Sequence, residues 1–191
     1  MVLQLVERAK LILGLRSAIN KVALLQADRR GVAAVEFAIF AGLLIFATLN
    51  VAEISIYIYQ RMQVENATEM AVQAAWKNCD LTMLPATTNC PALTNAVQNA
   101  MQSTSLGSRV ALQSGSPSEG FYCVNSYGAL EYVSDVTSKP ADCSAVGMPS
   151  LQPADYIEIG TTFVYTPLFP GITVANTLPT PITKTAWMRL D

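Results

Sequence analysis

At 191 residues the chain is long enough for one ordinary domain plus a membrane segment. Its 51% hydrophobic content is high for a protein that is soluble throughout, and the excess lies in the first 60 residues. Charge is uneven: residues 1–31 carry a net +4 against −2 for the whole chain, so the remainder carries −6. A basic start on a mildly acidic body argues against a nucleic-acid partner and for a positive-inside orientation, with the N-terminus in the cytoplasm and everything after residue 52 outside it.

Residues 1–27, MVLQLVERAKLILGLRSAINKVALLQA, mix apolar and basic positions at helical spacing, with no stretch long enough to span a bilayer. Two readings stand: a basic amphipathic helix on the inner membrane face, or a cytoplasmic leader that is discarded. The residues just beyond favour the second. No A-x-A cleavage site is present, and a basic pair, Arg29-Arg30, stands directly before the apolar run.

That run, residues 32–52, is 21 residues long and broken by one acid, Glu36. At 1.5 Å per residue it reaches roughly 32 Å, against a hydrocarbon core of about 30 Å. A carboxylate in such a segment costs ~2.5–3.5 kcal/mol at mid-bilayer and less near an end, so its presence asks for a reason. An ordinary signal-anchor helix with a stray interfacial acid is the plainest one. The helix continues without proline to Asn78, turning amphipathic past Tyr59, where Ala67, Met70, Ala71 and Ala74 recur at three- and four-residue spacing. Ile54, Tyr57, Ile58 and Tyr59 fall where an aromatic belt would meet the interface. One spine helix over residues 32–77 is expected.

A loop with Cys79, Pro85 and Cys90 ends the spine, and Pro91 suits the first turn of a second helix over residues 91–106. Short strands come next at 109–113, 121–126 and 130–133, the last two as a hairpin. The clearest strand is residues 156–166, YIEIGTTFVYT, in which Ile157, Ile159, Phe163 and Tyr165 alternate with small or polar residues. A proline-rich loop leads to a final strand over 183–190, with Ala186, Met188 and Leu190 on one face and Trp187 and Arg189 on the other. The fold class is therefore α+β: a long N-terminal transmembrane and spine helix, then a small globular domain with a second helix and an antiparallel sheet. Its boundaries are expected at 1–31, 32–77 and 78–191.

All four cysteines, Cys79, Cys90, Cys123 and Cys143, fall after the apolar run, on the side expected to be oxidising. An even count there favours two disulfides over a zinc site, since the chain has neither a C-x-x-C pair nor any histidine. Three connectivities are possible, and loop length favours 79–90 with 123–143. The missing histidine also removes the commonest general base, and no phosphate loop, dinucleotide fingerprint or G-x-S-x-G is present. The acids Asp80, Glu119, Glu131, Asp135, Asp142, Asp155 and Glu158 read as a solvated surface, and Phe121, Tyr122, Tyr127 and Tyr132 as sheet core. No catalytic, metal or cofactor site is expected.

The informative stretch is Arg29-Arg30-Gly31-Val32-Ala33-Ala34-Val35-Glu36-Phe37. A cut between Gly31 and Val32 would remove the +4 leader and create an α-amino group four residues before Glu36, ~6 Å away along a helix. Ammonium and carboxylate would then pair, within the chain or between copies, offsetting part of the cost of holding each in a poor solvent. The glycine, the apolar start and the glutamate resemble the type IV prepilin processing site. The fuller string RRGVAAVEFAIF, with Glu36-Phe37, resembles the TadE-like pseudopilins (TadE and TadF) of the Tad, or Flp, pilus system. The later YIEIGTTFVYTPLFPGI and TKTAWMRL are similar to that family too.

The resemblance implies cutting after Gly31 by a prepilin peptidase and a role as minor pilin or pseudopilin in pilus assembly or initiation, hence in adhesion and biofilm formation. It implies as partners the inner membrane, the peptidase, other pilins or pseudopilins and the assembly platform. The location would be the cytoplasmic membrane in a single pass, or the extracellular pilus. A membrane-anchored binding module and a type II secretion pseudopilin are the competing expectations.

Overall fold

The structure, a computed structural model, describes residues 30–79 and 81–191. The leader expected at 1–31 lies outside these residues apart from its last two positions, as does Asp80. The chain divides into two compact units between Leu49 and Asn50. Helix α1, Arg30–Asn78, begins in the first and ends in the second, close to the span expected from the sequence.

In the first unit, every large apolar side chain on α1 from position 32 to position 46 is more than half exposed, from 53% at Phe46 to 74% at Phe37. Apolar side chains on all sides of a helix mark one that is buried in lipid or among other helices. Among the described residues, α1 alone is long and apolar enough to cross a membrane.

In the second unit, one stripe of α1 is buried, Glu53, Tyr57, Val64, Ala67, Thr68, Ala71, Val72 and Ala75, and Cys79 just past its end is buried too. The three- and four-residue steps keep these on a single face, and the small side chains let a sheet approach closely. The stripe differs from the sequence reading by a rotation. Ala67 and Ala71 are on it, but Met70 is 42% exposed and Ala74 only half-buried. Tyr57 leaves the expected aromatic belt for the core, while Ile54, Ile58 and Tyr59 stay exposed.

Past the helix, Cys79 is bonded to Cys90 across a separation of 11 residues. Helix α2, Ala86–Asn89, lies between them. Glu119 fastens it, its carboxylate accepting the Ala86 and Thr87 N–H groups at 2.8 and 2.7 Å. A carboxylate here satisfies donors that the first turn of a helix leaves orphaned. Helix α3, Leu93–Gln102, is shorter than expected at both ends, and it buries Leu93, Val97 and Met101 as the spacing predicts.

The sheet, among the described residues, has five antiparallel strands: β1 Val110–Leu112, β2 Ser118–Val124, β3 Leu130–Asp135, β4 Ala154–Phe163 and β5 Ile182–Arg189. Strand β4 is the hub. Nearly its whole length pairs with β5 on one edge, from Tyr156↔Arg189 to Phe163↔Ile182. On the other edge β1 covers residues 161–163 and β2 covers residues 154–158, so these two lie end to end along one neighbour. Strand β3 then pairs with β2 as the expected hairpin.

Alternation along β4 buries Ile157, Ile159, Thr161 and Phe163 against the α1 stripe. Across that contact, the Thr161 and Thr68 hydroxyls lie 2.6 Å apart. Thr68 already donates to the Val64 carbonyl at 2.7 Å, so Thr161 supplies the proton of the shared bond. Cys123 on β2 is bonded to Cys143 across 20 residues. Closing loops of these two sizes stabilises a fold by about 3 kcal/mol each in the chain-entropy account.

Two aromatics assigned to the sheet core from sequence are not there. Tyr127 is 91% exposed in the β2–β3 turn, and Tyr132 lies on the outer edge strand at 58%. Phe121 and Tyr122 are buried. The Tyr132 ring nevertheless shapes its neighbour: a Cβ at Gly120 would stand 2.6 Å from its Cε2 and 3.0 Å from the Ser134 carbonyl oxygen. Gly120→Ala is expected to destabilise the domain by about 1–3 kcal/mol through overpacking against a backbone atom, read as a lowered midpoint in urea.

Candidate functional site

Two acids on α1 occupy opposite settings. Glu36 stands in the first unit, exposed, one turn beyond Gly31 and Val32 and next to the exposed Phe37. Gly31 has ordinary helical backbone, and a Cβ added there would meet nothing within 4 Å among the described residues. The fold described does not itself require glycine at this position.

Glu53 stands in the second unit and is fully buried, the one side chain of the α1 stripe that carries a charge. The Tyr165 hydroxyl donates to its Oε1, and the Leu168 N–H donates to the same oxygen at 2.9 Å. The Phe169 N–H reaches Oε2 at 3.3 Å. Three donors converging on one carboxylate supply the hydrogen bonds that a buried acid needs. Burial, and then the Glu53 carboxylate beside it, push the Tyr165 hydroxyl above the ordinary phenol range, so it stays a donor at any physiological pH.

The same face of α1 holds the loop after β4 at two further points. Asn50 Oδ1 accepts the Val174 N–H at 2.9 Å, and the Tyr57 hydroxyl donates to the Pro179 carbonyl at 3.1 Å. Tyr57 also meets the Tyr165 ring edge-on, with centroids 5.0 Å apart. Asn50, Glu53 and Tyr57 succeed one another at three- and four-residue steps, so a single helical stripe fastens residues 165–179.

Sequence reasoning singled out Glu36 and passed over Glu53. The available signal was position: Glu53 falls on the stripe that Tyr57 and Val64 continue, so a helix buried on that side must also bury the acid.

A second buried acid overturns an expectation. Asp155, read from sequence as part of a solvated surface, is 5% exposed, and its Oδ1 finds no hydrogen-bond donor. Burial first, then Glu119 and Asp191, push its carboxyl up to about 7. The cause is topological: Asp155 opens β4 and is covered by β2 on one side and the C-terminal residues on the other. Glu158 is half-buried and accepts the Tyr122 hydroxyl at 3.0 Å. Among the described residues no three His, Cys, Asp or Glu side chains gather closely enough to hold a metal.

The four cysteines form the pairs 79–90 and 123–143, the connectivity that loop length favours. No curated protein and no solved structure matches the chain. The family model described as TadE-like protein matches residues 31–73, opening on the glycine of the expected cut and running along most of α1. Over those residues the chain is similar to the TadE-like family, and Gly31, Glu36 and Phe37 fall within the matched stretch.

Proposed function

We propose that this chain is a minor pilin or pseudopilin of a Tad-type pilus, cut after Gly31 and working by helix packing in assembly or initiation. The reading divides the precursor into a leader at 1–31, a transmembrane and spine helix at 32–77 and an outer domain at 78–191. It places the N-terminus in the cytoplasm and the domain outside, and takes a prepilin peptidase, other pilins and the assembly platform as partners. TadE and TadF remain equivalent in this assignment.

The observation that carries it is the pairing of an exposed apolar helix with a family match that begins at Gly31. An apolar surface of this extent needs lipid before assembly and neighbouring helices after it. A glycine whose added Cβ would meet nothing within 4 Å among the described residues fits recognition by a protease better than a demand of the fold. Glu36 supplies register: once the cut exposes the Val32 amine, packing that aligns ammonium with carboxylate is favoured over packing that leaves either in lipid.

Intact-mass measurement on protein from cells with active peptidase should give a chain starting at Val32. Glu36→Val should still be cut, but should enter pili at least about tenfold less, the factor that 1.4 kcal/mol of lost pairing corresponds to. A chain retaining Met1 would favour a membrane-anchored binding module instead, and normal piliation by Glu36→Val would remove the pairing argument.

A further inference from the structure

The geometry points to a second membrane contact: the loop at 166–178, held against the outer end of the apolar run, dips Leu168, Ile172 and Val174 into the lipid interface beside α1. This rests on the membrane placement of α1 proposed above, and not on the pilus role.

Four observations converge on a lipid surface as the occupant. First, the loop is held at a defined level. Its N–H groups at 168, 169 and 174 are bound by Glu53 and Asn50, the residues at which the apolar run of α1 ends. Second, it presents large apolar side chains outward, with Leu168 61%, Ile172 57% and Val174 45% exposed. Third, charge is absent at that level. No charged residue lies between Glu158 and Lys184, and between Glu36 and Arg61 the only charge on α1 is Glu53, which is turned fully into the domain.

Fourth, the loop's backbone suits an interface rather than water or hydrocarbon. Prolines at 167 and 170 have no N–H to satisfy, and three of the remaining N–H groups are spent on α1. Irregular backbone is excluded from the hydrocarbon core but tolerated at headgroup depth, where apolar side chains reach about 5–10 Å inward. The exposed apolar side chains of α1 at this level, Val51, Ile54 and Ile58, complete an uncharged band with the loop.

The test uses the full chain in phosphatidylcholine–phosphatidylglycerol vesicles whose acyl chains are brominated near the headgroup, with a parallel set brominated toward the chain ends for Phe40→Trp, which lies near the middle of the apolar run. Trp76 and Trp187, both exposed, are replaced by Phe, and single tryptophans are placed as Phe40→Trp, Ile172→Trp or Tyr127→Trp. Ile172→Trp and Phe40→Trp should lose at least half their emission to bromine, while Tyr127→Trp should lose none. Quenching of Phe40→Trp, with Ile172→Trp behaving like Tyr127→Trp, would overturn the loop contact and leave the membrane reading standing. No quenching of Phe40→Trp would sink both. Emission from Ile172→Trp that escapes bromine, yet is shielded from aqueous iodide in lipid-free micelles in proportion to protein concentration, would assign the face to a second copy and overturn the proposal.

Discussion

Glu53→Ala is expected to destabilise residues 50–191 by about 2–4 kcal/mol, because it strands the Tyr165 hydroxyl and the Leu168 and Phe169 N–H groups in a buried place. Each orphaned donor costs roughly 1–3 kcal/mol, and removing a desolvated charge offsets part of the sum. Glu53→Gln should cost less, about 1–2 kcal/mol. With its amide oxygen in the place of Oε1 it still accepts from Tyr165 and Leu168, and only the Phe169 N–H faces an N–H₂ group that cannot accept.

Tyr165→Phe removes one donor and leaves the carboxylate its two backbone partners, so about 1–2 kcal/mol is expected there. Urea unfolding of the detergent-solubilised chain ranks the three variants, and hydrogen exchange locates the damage. Protection of the Leu168 and Phe169 amides should collapse in Glu53→Ala while that of β4 and β5 persists. Equal loss across the sheet would mean that Glu53 supports the whole fold rather than the loop.

Asp155→Asn is expected to stabilise the domain above neutral pH by about 2 kcal/mol and to flatten its stability between pH 5 and 8. The Asp155 carboxyl is raised from 3.8 to about 7 in the folded chain. Folding therefore favours its protonated form: the stability from this group is complete below about pH 4 and is lost as pH rises through 7. The facing groups are Glu119 from β2, Asp191 at the C-terminal end and Lys139 from the loop after β3, and the two acids outweigh the lysine. Asp135, Asp142 and Asp191 are all shifted downward, so their contributions disappear only in acid, below the usual carboxylate range. The window from pH 5 to 8 thus belongs to Asp155. Denaturant midpoints at half-unit steps across it should decline in the parent chain and stay level in Asp155→Asn. A level parent profile would refute the assignment.

Much of this architecture was legible because it is written in periodicity. The unbroken helix from the basic pair to Asn78, the period-two burial of Ile157, Ile159 and Phe163, and the two faces of β5 all arise from local spacing that packing then obeys. What was misread depends on contacts between distant segments. Met70 and Ala67 look alike within α1, and only the placement of β4 decides which of them is covered. Asp155 reads as a loop acid until β2 and the chain end close over it, and Tyr127 reads as core until the turn that carries it points away. Glu53 shows the limit most clearly. Its three donors come from residues 112 to 116 positions downstream, and no local pattern around residue 53 announces them.

The central position of β4 has a consequence for the order of events during synthesis. The strand that joins β1, β2 and β5, and covers the stripe of α1, begins 76 positions after α1 ends, at 154 against 78. Its bond to the helix, Thr161 to Thr68, spans 93 positions. A chain made from its N-terminus at about 5–20 residues per second therefore exposes the buried stripe of its helix for several seconds before the covering strand exists. Contacts of such long range also close slowly. The half-built protein has a finished helix and an unfinished core, and the stripe is lined mainly with Ala, Val and Thr rather than with large apolar side chains. That choice gives other chains little to grip while the helix waits for its sheet.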